Sequence, residues 1–514
     1  MKALNKYLYK LLLLAMVVIN YNQTFAQKFG NEWIDYSKTY YKIPVTVLTS
    51  NTGGYPSNLF DFGKLRRITL SNLSSWGLAG VPASDFQIFR NGKEIPLYTT
   101  TNGVLGSNDY IEFWGDVNDG SFDTELFKKP ADQVNKFESL YQDTSIHFLT
   151  VSPGNANSRY TTVTNNPGAS TVEPLKYFLN SIQYARTKTF IKGTAYNISN
   201  IAIMESGYGI GEGLGVLLDP RNGFSNLING TNVNHFAYTG TDGPNAKLQY
   251  SINNQAFIND SFRIKIENLT HPSLDTIVLP FTRINNQKNR IGELSFPNLW
   301  MAFGPTGTKR LQFYIGKKLA DYVPTGVTNF TITYARTFDF TLSNFFKFNL
   351  PPTSEKVKFD AVISTSRLDA GTQPYIYDIT NQKRYSGQLK STGIYTFLLD
   401  PTDTDRTLVI ICPKGTDHYS TYNDPVASIK FKNYFLPENQ GDYLIISNDH
   451  LWKDWSTSIG GENPETSVNY VEEYRKYRSS TDGGNYKAIT LNIDSLADQF
   501  AYGIRKHPLS IRNF

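Results

Sequence analysis

The stretch Phe86-Gln87-Ile88-Phe89-Arg90-Asn91-Gly92-Lys93-Glu94-Ile95-Pro96-Leu97-Tyr98 decides the fold class. Apolar and polar residues alternate on both sides of Asn91-Gly92, a pair that adopts positive φ at little steric cost. The stretch therefore predicts two antiparallel strands joined by a tight turn. Working outward, the same grammar holds. Strands are expected at residues 41–45, before a Gly53-Gly54 turn, and at 67–70, then at 109–115 and 145–150. Further candidates lie at 247–252, 261–266, 310–315 and 330–337, and a third group at 356–363, 375–379, 393–398 and 407–412. No fixed-period repeat and no low-complexity linker interrupts them.

Composition agrees with this pattern. The chain has 33 Tyr, 33 Phe and 6 Trp, residues that suit pleated sheets, and its 38 Gly and 24 Pro supply frequent turns. A single cysteine, Cys412, excludes an intramolecular disulfide framework, so packed cores must supply the stability. Lys2, Lys6 and Lys10 precede a short apolar run at 11–19 and then Thr24-Phe25-Ala26, the layout of a secretory signal peptide cleaved near Ala26. That run is too short to span a bilayer, which takes about 20 residues, so no transmembrane helix is expected after cleavage. Loss of those three lysines lowers the formal charge from +5 to +2, and nothing in the balance recruits nucleic acid. A chain of 514 residues exceeds one core. The expected spans are a signal peptide at 1–26, an N-terminal β domain at 27–165, a second β domain at 166–350, a small β-sandwich at 351–438 and the start of an α/β domain at 439–514.

The change of grammar comes at Gly441. Residues 442–447 form an unbroken apolar run of the kind buried on both faces of a parallel sheet, and Val468, Val471, Tyr474 and Tyr477 follow at helical spacing. A helix ending at Gly483-Gly484, a strand at 487–491, a helix capped by Asp494 or Ser495 and a last helix opened by Pro508 complete the reading. One strand–helix–strand unit cannot cover both faces of a parallel sheet, so the expectation is an α/β domain that the chain enters without completing.

Few side chains offer chemistry. Cys412 ends a buried-strand pattern, with His418 as its nearest imidazole in sequence, and reads as a core residue before it reads as a nucleophile. The histidines His147, His235, His271, His418, His450 and His507 never pair at zinc-site spacing. His450 follows the first α/β strand, where ligands of open sheets bind. The glycine-rich run 207–215 has the outline of a phosphate loop but lacks its Lys-Ser/Thr, and reads better as a mobile connection in which Glu205 and Glu212 could meet cargo or a cation. Asp116, Asn118, Asp119, Asp123 and Glu125 gather oxygen atoms of the type calcium accepts, at a spacing that is not an EF-hand's. No catalytic, cofactor-binding or metal residue is assigned.

Several segments together resemble the gingipain-like cysteine peptidases, in the sortase branch of the type IX secretion system. They are 40–43, 86–98, 109–115, Asp119-Gly120 with 123–126, Phe137, Leu140 and Tyr141 before Asp143-Thr144, 148–150, 332–336, and, at the far end, 442–447, 493–500, Tyr502-Gly503 and 508–514. The match runs nearly end to end, loosely between about 160 and 330. It implies tandem β-sandwich-like domains followed by the start of a caspase-like, Rossmann-like α/β peptidase domain. It further implies an exported, cell-surface or outer-membrane protein that removes C-terminal sorting signals from exported protein cargo and meets outer-membrane secretion subunits. The family's catalytic His-Gly pair and its Cys lie beyond the matching segments and occur nowhere in these 514 residues. The alternative is a non-catalytic adhesion or scaffold protein.

Overall fold

The structure, a computed structural model, describes residues 29–46, 63–183, 189–193, 195–198, 201–204, 207–218, 224–226, 236–254, 260–268, 276–278, 282–284, 289–302, 311–317, 325–422, 426–452 and 468–514. The expected signal peptide and the Gly53-Gly54 turn lie outside these residues. The described residues form two compact units, one within 36–433 and one in which residues 29–35 join those within 434–514.

The larger unit is mostly β, as composition and alternation predict. In its outer sandwich, one five-stranded sheet runs in the order Ser428–Ile429, Tyr40–Val45, Ser145–Val151, Phe86–Arg90, Lys93–Ile95. The other runs Tyr419–Ser420, Gly63–Thr69, Tyr110–Asp116, Tyr98–Thr99. The hairpin turn has φ of 47° at Asn91 and 73° at Gly92, the left-handed pair the sequence calls for. Residues 94–98 do not continue as one strand. Pro96 has no amide to give the ladder, and the chain crosses there from the first sheet to the second. Ile43, Ile68, Phe86, Ile88, Ile111, Phe113 and Leu149 fill the core between the sheets.

An intermediate sandwich pairs the sheet Phe345–Leu350, Arg406–Ile411, Tyr375–Asp378, Lys383–Ser386, Thr161–Val163 with Gln388–Ser391, Ile394–Leu399, Val357–Val362, Pro174–Leu175. Its core is phenylalanine-rich, with Phe338 stacked on Phe359 at 4.4 Å and Phe178 against Phe348 at 4.9 Å. The innermost sandwich lies wholly within 178–336. Its six-stranded sheet centres on Thr325–Arg336 between Ala246–Asn254 and Phe178–Gln183, and its second sheet carries Asp260–Asn268, whose Phe262, Ile264 and Ile266 pack on Leu248, Tyr250 and Ile332.

These sandwiches are nested in sequence. Thr161–Val163 pairs with Lys383–Ser386, and Pro174–Leu175 with Val357–Val362, so the innermost sandwich interrupts the intermediate one. Tyr419–Ser420 and Ser428–Ile429 then return to the outer sandwich. The span 351–438 thus supplies strands to both.

Glu112, 0% exposed, joins the outer and intermediate sandwiches. Along Tyr110–Asp116 the side chains of Ile111 and Phe113 enter the outer core, while Glu112 and Trp114 face the neighbouring sandwich. Arg67 donates to Glu112 Oε2 from Nη2 at 2.7 Å and from Nε at 3.2 Å, Tyr377 donates to Oε1 at 2.6 Å and Tyr375 at 3.3 Å. Leu65, Trp114, Tyr160, Val409 and Ile411 exclude water around them. Arg67 lies between the rings of Tyr110 and Tyr419, 3.7 and 3.8 Å from their centroids. Burial, and then the nearby Glu112 carboxylate, push both Tyr375 and Tyr377 well above the ordinary phenol range, so both stay protonated and can donate to it.

In the smaller unit, Tyr443–Ser447 and Ala488–Asn492 form a parallel pair connected through the helix Tyr470–Ser479. The helices Ile493–Phe500 and Leu509–Arg512 follow. Asn492, rather than Asp494 or Ser495, caps the first of these by accepting from the Asp494 amide at 2.8 Å. The strand expected to be buried on both faces is not, and Leu444 is 48% exposed, because among the described residues one strand and one helix layer it. Gly30, at φ 79°, lets the N-terminal segment lie close over Phe500, where a Cβ would meet the Phe500 carbonyl oxygen at 2.9 Å. Asn513 Nδ2 donates to that same carbonyl at 3.2 Å. No helix among the described residues is long and apolar enough to cross a membrane.

Two outcomes follow. Glu112→Ala leaves the partly buried Arg67 charge without its partner and lowers the unfolding free energy of the larger unit by about 3 kcal/mol, while Tyr377→Phe costs about 1.5–3 kcal/mol; urea titration followed by tryptophan fluorescence measures both. His147 is 0% exposed with no hydrogen-bond partner on either ring nitrogen among the described residues, and burial, followed by the neighbouring Arg90 charge, lowers its pKa to about 3. The unfolded residue takes up a proton near pH 6.5 that the folded one refuses, so its contribution to stability is intact above that pH and declines as pH falls toward 3. In His147→Leu, the slope of unfolding free energy against pH in this window shrinks by up to about 1.4 kcal/mol per pH unit.

Candidate functional site

The carboxyl edge of the parallel pair is where an α/β domain places its chemistry. Ser447 stands in register with Asn492, so the two strands end side by side. At the end of each strand an asparagine begins a helical turn, Asn448 just after the first and Asn492 as the last residue of the second. Asn448 Oδ1 accepts from the His450 amide at 3.0 Å to start Asp449–Leu451, and Asn492 starts Ile493–Phe500. Unbonded amides of a first turn carry partial positive charge, which suits this edge to an anionic or carbonyl group. Asp494, in the first turn of the second helix, is paired with Arg505 at 2.8 Å. The edge holds His450 but no thiol.

On one face of this sheet Tyr443 donates to or accepts from Tyr474 across 3.0 Å. Arg478 covers the rings of Tyr443 and Tyr486 at 4.5 and 4.8 Å. The helix Tyr470–Ser479 is capped by Asn469, whose Oδ1 accepts from the Glu472 amide at 3.0 Å, and closes at Ser480, before the glycine pair expected to end it.

The sequence candidates do not come together at this edge. Cys412 is 0% exposed in the phenylalanine core of the intermediate sandwich, and burial pushes its thiol up to about 12, which leaves no thiolate at neutral pH. His418 is buried, accepts at Nδ1 from the Lys414 amide at 3.2 Å, and burial lowers its pKa. His507 accepts at Nδ1 from the Leu509 amide at 3.2 Å and is buried in the smaller unit. His235, His271 and Glu205 lie outside the described residues.

The acidic run 116–125 spends its oxygens on protein partners. Asp116 accepts from Lys347 Nζ and Trp114 Nε1, both at 2.6 Å, and although burial opposes its charge, Lys347 and Arg90 hold its carboxyl below the usual range. Asp123 accepts from the Leu140 amide at 2.7 Å and Ser139 Oγ at 3.2 Å, Asp119 from the Ser121 amide at 3.1 Å, and the Asn118 side chain donates to the Gln142 carbonyl at 2.8 Å. Among the described residues no three His, Cys, Asp or Glu side chains converge as metal ligands. The glycine run ends in a turn closed by Glu212, which accepts from the Gly209 amide at 2.9 Å and whose carboxyl burial pushes up. Its backbone is tied to the loop before the Ser145–Val151 strand, through Lys128 N to Tyr208 O at 3.0 Å and Gly211 N to Asp132 O at 3.2 Å.

The Glu112 network was not legible as a site. The one hint in the sequence is that Glu112 shares a face with Trp114 and Tyr110, an aromatic face too large to leave in water.

No protein-family model matches the sequence, and no curated protein matches it. The fold is similar to that of dimeric latent PorU from Porphyromonas gingivalis, with a TM-score of 0.53 at 11% identity over 91% of this chain. A T13 particle of infectious bursal disease virus (TM-score 0.19, 7% identity, 74% of this chain and 64% of that one) and a Bacteroides uniformis β-glucuronidase (0.13, 9%, 64% and 29%) share too little for any argument. This chain spans 38% of the PorU chain, and the likeness concerns the fold.

Proposed function

We propose that this chain is the N-terminal portion of an exported, gingipain-like cysteine peptidase or sortase acting on proteins secreted by the type IX system. The reading is carried by one observation, the order of parts. A β array that leads into a strand–helix–strand unit is similar in fold to latent PorU over 91% of the chain, and the motifs at 86–98, 109–115 and 493–500 resemble the sortase branch of the same peptidases. In this reading the protein sits at the cell surface or outer membrane. The sandwiches hold exported cargo and meet secretion subunits, and the parallel pair opens the domain that removes C-terminal sorting signals. No residue of this chain is given a catalytic role, since its one thiol is sealed in a core.

The second reading is a non-catalytic adhesion or scaffold protein, and the sealed Cys412 is consistent with either. The two part on the reading frame beyond the Phe514 codon. The peptidase reading expects a His-Gly pair and a later Cys, each after a sheet strand; a stop codon there leaves the scaffold. It also expects that the natural protein, purified from the producing cell, cleaves a cargo bearing its sorting signal, that iodoacetamide abolishes this, and that Cys412→Ala retains the full rate. Cleavage that survives alkylation, or that Cys412→Ala removes, would falsify the reading. In the folded chain Cys412 should not react with a thiol reagent at pH 8, and should react fully in guanidinium.

A further inference from the structure

A groove of about 800 Å³ opens at the side of the intermediate sandwich, lined by the run Glu173–Leu179 together with Asn349, Leu350, Pro351, Asp405 and Thr407. Its volume falls within the roughly 300–1,000 Å³ of specific binding sites. It lies between the end strands of two sheets, Pro174–Leu175 and Phe345–Leu350.

Three features define what would fill it. Leu175 and Leu179 leave 40% and 56% of their surface in solvent, beside Pro351, so the walls are apolar, with exposed aliphatic side chains alongside Tyr177 and Phe178. Pro174 and Pro351 have no amide to donate, which weakens the groove as a site for adding a strand and shifts recognition to side chains. The charge is unbalanced. Lys176 is neutralised by Asp242 at 2.7 Å, whereas neither Glu173 nor Asp405 has an ion-pair or hydrogen-bond partner among the described residues. Two uncompensated carboxylates beside apolar walls complement a cation that carries apolar neighbours.

We propose that this groove docks a short cationic segment of a partner polypeptide, a lysine or arginine flanked by branched aliphatic side chains, with Glu173 and Asp405 receiving the charge and Leu175 and Leu179 the apolar residues. The proposal stands on the groove and is independent of the peptidase reading.

The test uses the full chain and two fluorescein-labelled heptapeptides, Ser-Val-Lys-Leu-Lys-Val-Ser and its counterpart with glutamates for lysines, followed by anisotropy at low and moderate salt. The lysine peptide should bind at least about tenfold more tightly, and the preference should weaken with salt. In the double variant Glu173→Gln with Asp405→Asn the preference should disappear, and Leu179→Ser should weaken the lysine peptide with the carboxylates intact. All three positions are solvent-exposed, so the variants keep the fold, which circular dichroism checks. Equal affinity for the two peptides, binding to neither at millimolar concentration, or a preference that survives the double variant overturns the proposal. So does sedimentation showing a dimer that Leu179→Ser dissolves and the peptide does not compete with, since the occupant would then be a second copy of the chain.

Discussion

A carboxylate buried where two sheets meet needs every one of its partners. Glu112 is held by Arg67 from its own sheet and by Tyr375 and Tyr377 from the neighbouring sandwich, so its full set of donors is present only when both sandwiches are folded and in contact. In a low-dielectric interior an ion of this kind contributes little net stability when satisfied and costs several kcal/mol when not. Its effect is therefore on register. A slip of the Tyr375–Asp378 strand by one residue would turn both phenols away and strand the charge. Lys347 and Asp116 form a second tie between the same sandwiches, at the end of the Tyr110–Asp116 strand.

With that joint in place, the sandwiches behave as one unit although the chain visits them in an interrupted order. The innermost sandwich is inserted into the intermediate one, and that one into the outer, while residues at the two chain ends share the smaller unit. Paired short strands such as Thr161–Val163 with Lys383–Ser386 close very long loops. The entropic cost of closing them rises only slowly with length, by about 0.6 kcal/mol per doubling, and the aromatic cores on either side readily offset it.

This architecture explains what the sequence could and could not reveal. Strands with strict alternation, such as Tyr110–Asp116 and Val357–Val362, and the Asn91-Gly92 turn were legible because each is decided by neighbours within a few residues. Thr161–Val163, Pro174–Leu175 and Gln388–Ser391 are too short and too mixed in character to announce themselves, and take their conformation from partners far along the chain. Leu444 and its strand depart from expectation for the converse reason, since an apolar run states what could be buried and not what covers it. At the candidate site, the asparagine caps at 448 and 492 follow from local chemistry, whereas the neutralisation of the 116–125 acids by Lys347, Ser139 and backbone amides depends on tertiary contacts.

The nesting also imposes an order in time. A chain that leaves a ribosome or a translocation pore N-terminus first presents Tyr40–Val45 long before Ser428–Ile429, its partner on one edge, exists. The outer sandwich can pair its strands between 40 and 151 early and lacks only its two late edge strands, the innermost sandwich closes next as a contiguous stretch, and the intermediate one waits for residues 345–411. Until the late strands emerge, one edge of Tyr40–Val45 and one of Gly63–Thr69 stay open to intrusion by other chains, a window in which a holding chaperone would matter more than a folding catalyst.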